Sequence, residues 1–160
     1  MYNKNLIIFV GILIIFDIIF LGLYFSSVFG QPFKQAEIGF VSKVIDGDTV
    51  IINGESVRLL GIDSDERGYP CYNEAKKRLE EIVLDKEVLL EKGNEDMDKY
   101  NRRLRYIFLK GSEKSVNLKL VEEGLAIARF PQESKYKLEI VNAEKNARNN
   151  KIGCKWIKFY

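Results

Sequence analysis

Five short β-branched runs, an amphipathic stretch after the third and two more helical stretches at the end predict an α+β domain that is mainly β. That order is expected of a small five-stranded Greek-key barrel of the OB type, here carrying three helices. Ahead of it, an apolar segment of bilayer length predicts an N-terminal transmembrane helix.

The chain of 160 residues has room for one ordinary domain. Residues 1–5 form a short end, and from Leu6 to Phe25 the chain is apolar apart from Asp17 and glycines. The segment 6–29 exceeds the roughly 7–15 residues of a signal-peptide hydrophobic region, so an uncleaved single-pass anchor is expected. Cleavage after Gly30, giving a secreted protein, is the alternative, and a buried core helix is a third reading. Lys4 and the amino terminus favour a cytoplasmic end, which puts the domain outside the cell membrane. Asp17 has no second span to pair with and is read as neutral or as aiding helix association. Residues 30–36 form a linker, 37–156 the domain and 157–160 a tail.

Within the domain, "EIGFVSKVIDG" and "DTVIINGESVRLLGI" read as strands with turns at Asp46-Gly47 and Asn53-Gly54. Asn-Gly between two apolar runs is the strongest short hairpin signal. "NEAKKRLEEIVL" changes period and places Ala75, Leu79, Ile82 and Val83 on one helical face, with Asn73 as its cap. "KEVLLEKG" and "RRLRYIFLKG" are two further strands, the second following a polar loop "NEDMDKYN". "VNLKLVEEG" suits a short helix closed by Gly124. "YKLEIVNAEKNARNN" puts Tyr136, Ile140, Ala143 and Ala147 on one face of a last helix stopped by Gly153.

A net charge of +2 does not mark a nucleic-acid binder, so any polyanion site must come from a local cluster. Histidine is absent, which leaves carboxylates, lysine and tyrosine for proton chemistry. The run "VIDGDTVIINGESVRLLGIDSDE" holds Asp46, Asp48, Asp63, Asp65 and Glu66 among strand residues that seldom tolerate them. Asp48 and Asp63 could share one cation. Oxygen ligands without His or Cys favour Ca²⁺ or Mg²⁺ over zinc, and a loose two-carboxylate site suits Ca²⁺. Arg58 and Arg102 supply the forked cations that phosphodiester hydrolysis needs against charge on the non-bridging oxygens. A carboxylate near the cation would position or deprotonate the attacking water. Strand alternation puts Arg58 and Asp63 on opposite faces unless a bend intervenes.

Together "VIDGDTV", "VRLLGIDSDE", "DKYNRRLRY" and "VNLKLVEEGLA" resemble, in order and spacing, the staphylococcal nuclease (thermonuclease) family over residues 37 to 156. The resemblance implies an OB-fold barrel with three helices. It also implies Ca²⁺-dependent endonucleolytic hydrolysis of DNA and RNA leaving 3′-phosphate ends; single-stranded or denatured substrates and a monomer are expected. Carried over by position, Asp48, Asp63 and the main-chain carbonyl of Ser64 become calcium ligands. Glu66 becomes the carboxylate that acts on the water, Arg58 and Arg102 the phosphate-binding arginines, and Tyr100 part of the nucleotide pocket. Ser64-Asp65-Glu66 departs from the family's usual Thr-Pro-Glu, and Asp65 is expected to face solvent or add outer negative charge. Asn101 replaces a glycine, and asparagine tolerates the left-handed turn required there.

Cys71 and Cys154 are the only cysteines. Export and an even count predict one bridge, worth on the order of 4 kcal/mol in the chain-entropy model, against the alternative of two free buried thiols. Phe130 reads as a core aromatic, and the charges of the last helix as a solvated face. Two other function classes compete with the nuclease: a non-catalytic nucleic-acid or protein-binding barrel tethered to the membrane, and a purely structural domain. Neither needs the acid–arginine set.

Overall fold

The computed structural model describes residues 37–130 and 135–157. The predicted cytoplasmic end, anchor with Asp17, and linker fall outside the described residues, as does 158–160 of the tail. No helix among the described residues is long and apolar enough to cross a membrane. The chain divides into units Met1–Gln35 and Ala36–Tyr160, and every described element belongs to the second.

In chain order the elements are β1 (Glu37–Val44), β2 (Thr49–Ile52), β3 (Glu55–Leu59), β4 (Ile62–Ser64), α1 (Tyr72–Val83), β5 (Glu87–Met97), β6 (Arg103–Leu109), α2 (Val116–Glu122), β7 (Ala126–Ala128) and α3 (Lys137–Asn149). Five strands close a barrel, as the sequence predicts, and their order is β1-β2-β3-β6-β5. All its pairs are antiparallel except β3 with β6. β4 and β7 form a separate antiparallel ladder that the sequence reading lacks, because three-residue strands carry no period.

The Asn53-Gly54 hairpin forms as expected. Ile52 pairs with Glu55, and both turn residues have positive φ (51° and 85°), as the twist-matched two-residue turn requires. Inward residues such as Val41, Val50, Val57, Leu59, Val88 and Ile107 fill the barrel. β5 runs four residues further than predicted. Its end is polar on both faces, so alternation does not reveal it. Arg105, 2% exposed, holds it there: Nη2 lies 2.7 Å from Asp96 Oδ1, and Nη1 donates to the Asp96 and Leu104 carbonyls.

Ala75, Leu79, Ile82 and Val83 bury the predicted face of α1. The predicted cap fails, since the helix starts after Cys71 and Asn73 lies inside its first turn. α2 opens on Ser115, whose Oγ accepts from the Leu118 amide at 3.1 Å. It closes on Gly124 (φ 65°), where a Cβ would stand 1.8 Å from the Ile152 carbonyl oxygen. α3 buries Ile140 and Ala147, and the Tyr136 ring packs 4.6 Å from that of Tyr106. It ends ahead of Gly153, because Lys151 already takes a left-handed conformation (φ 54°). The predicted Cys71–Cys154 disulfide is present, with a Cα separation of 5.4 Å, joining the start of α1 to the segment after α3.

Candidate active site

Asp48 stands in the β1–β2 turn, where Gly47 lets the backbone press in. A Cβ on Gly47 would lie 2.6 Å from Ala75 Cβ of α1 and 2.8 Å from Ser64 Oγ. Asp46 Oδ1 fixes the turn by accepting from the Asp48 amide at 3.0 Å. Burial pushes the Asp46 carboxyl above the usual range, against its bond from that amide. Asp48 is 5% exposed and fully engaged. Its Oδ1 accepts from the Thr49 hydroxyl at 3.0 Å, and its Oδ2 accepts from the Ser64 amide at 2.9 Å.

Asp63 reaches the same place by a different route. The turn at Gly61 (φ 80°) ends β3 and redirects the chain into β4. Arg58 on β3 and Asp63 on β4 therefore meet despite the alternation rule. Arg58 Nη2 donates to Asp63 Oδ1 at 2.7 Å and to the Ile62 carbonyl at 3.2 Å, while Nη1 pairs with Asp48 Oδ1. One guanidinium thus bridges both carboxylates. Burial works against its charge, but Asp48 and then Asp63 outweigh that and hold its pKa above the ordinary arginine value.

Arg129, just past β7, gives Asp63 Oδ2 a second cation at 2.7 Å, and its amide donates to the Gly61 carbonyl. Sequence reasoning missed this residue, since no motif surrounds it and only the β4–β7 ladder brings it close.

Arg102 is held by Asp98, with Nε 2.8 Å and Nη2 2.7 Å from Asp98 Oδ2. Asp98 Oδ1 accepts from the amides of Tyr100 and Arg102 at 2.9 and 3.0 Å. Burial raises the Asp98 pKa, but the bonds from Arg102 and Tyr100 prevail and hold it below the usual carboxylate value. Asn101 takes the left-handed conformation expected of it (φ 61°). Asp98 was also missed, although an Asp two residues before a bonded amide is ordinary turn chemistry. Arg58, Asp98, Arg129 and Phe130 line one groove of about 440 Å³, so the partner of Arg102 and the Asp48–Arg58–Asp63 fork share a wall. Phe130 packs on the core as expected, and its ring leaves no room for a Cβ on Gly61. Tyr100 is 67% exposed, with Arg102 Cζ 5.5 Å and Lys99 Nζ 5.0 Å from its ring centre.

The two adjacent acids separate. Glu66 is exposed, and its carboxylate has no partner among the described residues. It is not drawn into the Asp48–Asp63 cluster, although Ser64, two residues back, is bonded to Asp48. Asp65 is half-buried and paired, not turned freely to solvent. Its Oδ2 accepts from the Cys71 amide at 3.0 Å and its Oδ1 pairs with Lys155 Nζ, beside the disulfide. Asp65 is a clasp between the acidic loop and the C-terminal segment.

A hard dication fits the oxygen set. Asp48 and Asp63 are close enough to share one guanidinium, a positive charge already spans them, and the Ser64 backbone adjoins both. Among the described residues, the one group of three ligand side chains that crowds together like a metal site is Cys71, Glu74 and Cys154, whose ligand atoms lie within 4.8 Å of one another. Both its sulfurs are consumed in the disulfide.

Known proteins are similar to this chain over most of its length. The family model described as staphylococcal nuclease homologue matches residues 56–157. A thermonuclease of Staphylococcus intermedius is 36% identical over 152 residues, covering 81% of this chain and 87% of that protein. A thermonuclease of Staphylococcus hyicus is 32% identical, covering 88% of this chain and 92% of its own length. An uncharacterized endonuclease of Haemophilus influenzae is 31% identical over 71% of this chain and 63% of itself. With the barrel in place and the match running through β3, the acidic loop and all three helices, this chain belongs to the staphylococcal nuclease family.

Proposed function

We propose that this chain is a Ca²⁺-dependent endonuclease that hydrolyses phosphodiester bonds of DNA and RNA, leaves 3′-phosphate ends and acts outside the membrane. A nuclease is what the thermonuclease relatives support. The observation that carries the finer reading is the guanidinium fork of Arg58 across Asp48 and Asp63, at the wall of a groove edged by Asp98 and Arg129.

In this reading Asp48, Asp63 and the Ser64 carbonyl hold Ca²⁺. Bound there, Ca²⁺ supplies Lewis-acid stabilisation of charge on the phosphate oxygens. The remaining work falls to side chains. Arg58 and Arg102 present forked donors to the non-bridging oxygens, whose charge grows in the transition state. Asp98 holds Arg102 from both Nε and Nη2, so its fork is oriented before substrate arrives. Glu66, with no other partner, takes a proton from the attacking water. The water oxygen bonds to phosphorus, the bond from phosphorus to the 5′ oxygen breaks, that oxygen takes a proton from solvent to become the 5′ hydroxyl, and the phosphate stays on the 3′ oxygen. Tyr100, flanked by two cations, edges the nucleotide pocket. The segment 6–29 anchors a monomer in the cell membrane with residues 37–156 outside, or is cleaved to release the domain.

The test is cleavage of end-labelled denatured DNA and of RNA by the purified chain, with product ends typed by phosphatase sensitivity. The proposal expects internal cuts in both polymers with 3′-phosphate ends. Tight binding of either polymer without cleavage would favour the non-catalytic barrel instead.

A further inference from the structure

A second groove, of about 750 Å³, opens beside the acidic cluster and takes no part in the proposed mechanism. Its first lining residue, Arg67, directly follows Glu66, and the Tyr69 amide donates to the Glu66 carbonyl at 3.0 Å. Its far wall is the start of α1, where the Tyr72 hydroxyl donates to the Ile45 carbonyl at 3.5 Å, next to the Asp46–Asp48 turn. The groove therefore begins where the chain leaves Glu66 and ends on α1, whose Tyr72 touches the turn that leads to Asp48.

Its lining is mostly cationic. Arg67, Lys76 and Lys77 line it against one acid, Glu80, which reaches Lys76 only at 4.0 Å. Among the described residues, Arg67 is the one arginine without a carboxylate partner. The others are paired with Asp48 and Asp63, Glu123, Asp98, Glu37, Asp96, Asp63 and Glu144. Tyr69 is 65% exposed in their midst. Tyr72 and Lys76 are four residues apart on one helix face, so ring and cation look into the same space. Cations that outnumber their acids beside an exposed ring form the surface that holds a single strand: charge for the phosphates, a π-face for a base.

We infer that this groove is a subsite for the substrate strand beyond the scissile bond, with Arg67, Lys76 and Lys77 on phosphates and Tyr69 stacked on a base. The inference rests on the nuclease reading for its biological sense, but its binding can be measured without catalysis. A dinucleotide too short to reach the groove would not feel it, whereas a 12-mer would.

The experiment compares the full chain with the triple variant R67Q/K76Q/K77Q, with Tyr69→Ala, and with a control of equal charge change, K43Q/K110Q/K145Q. These control lysines are exposed and lie outside the groove. Each protein is assayed with Ca²⁺ on a single-stranded 12-mer and on a dinucleotide. Binding of the labelled 12-mer is also followed by fluorescence anisotropy in chelator across a salt series. The groove variant is expected to raise KM for the 12-mer at least tenfold with kcat and dinucleotide kinetics unchanged. It should also flatten the dependence of log Kd on log salt by about 2, from roughly 0.7 per lost phosphate contact. Tyr69→Ala should weaken 12-mer binding about 5-fold or more, the scale of one lost stack. Equal losses in the control, or no change in the groove variant, would overturn the inference. If the parent cleaves neither substrate the nuclease reading fails, and the anisotropy arm still decides the groove.

Discussion

Arg58 is the residue on which the site turns, because one side chain neutralises both carboxylates that would hold the cation. Lysine keeps its charge but cannot span two carboxylates or two phosphate oxygens. Arg58→Lys and Arg102→Lys are each expected to lose at least tenfold in kcat while remaining folded; a parent-like rate in either removes that arginine from the transition state. Arg58→Gln should also bind Ca²⁺ more tightly than the parent by calorimetry, since a resident cation leaves the oxygens; weaker binding would contradict the shared site.

Asp98 gives a pH signature. Its folded pKa is depressed below an unfolded value of about 3.9, so its contribution to stability is complete above that value and is lost as pH falls through the folded one. Denaturant unfolding should therefore show Asp98→Asn less stable than the parent at pH 6, with the gap narrowing by pH 3. A gap that stays constant would mean that the charge of Asp98 contributes nothing.

At this scale the sequence was readable in the meeting of Asp48 and Asp63, two acids at strand ends that one arginine now spans. It was unreadable where a partner arrived from far along the chain. Arg129 meets Asp63 across 66 residues and Lys155 meets Asp65 across 90.

Among the elements, the helices and barrel strands were legible because periodicity records a buried face, as with Ala75, Leu79, Ile82 and Val83 on α1. Their ends were not. The polar end of β5 is set by buried Arg105, the start of α1 by no side chain of its own, and the stop of α3 by a lysine in a conformation that favours glycine. The junction of the acidic loop with α1 explains why the usual proline can be absent. Asp65 ties the loop to the Cys71 amide and to Lys155 while the disulfide closes the same corner. Asp65→Asn should lower stability by about 1–2 kcal/mol, the scale of losing one charged hydrogen-bond partner, with kcat kept within a few fold. Chemical denaturation and single-turnover cleavage measure the two. A stable variant with a crippled rate would place Asp65, and not Glu66, beside the water.

For the molecule as a whole, the architecture rests on two facts that the sequence exposes together: five runs that fill a barrel, and charged residues gathered where those runs end. The barrel supplies rigidity, β4 and β7 bring Asp63 and Arg129 to its rim, and α1 carries the second groove away from it. The central claim is that cleavage depends on a bound Ca²⁺ and that Glu66 acts on the attacking water without holding that ion. The direct measurement is a Ca²⁺ titration of single-turnover cleavage of denatured DNA by the parent and by Glu66→Gln, each starting from chelator-treated protein. The account predicts no cleavage in chelator and a saturable rise with Ca²⁺ in the parent. For Glu66→Gln it predicts the same Ca²⁺ midpoint with a plateau lower by about 10²–10⁴, the scale of general acid–base catalysis. A parent that cuts as fast in chelator as in Ca²⁺, or a Glu66→Gln plateau equal to the parent's, would contradict it.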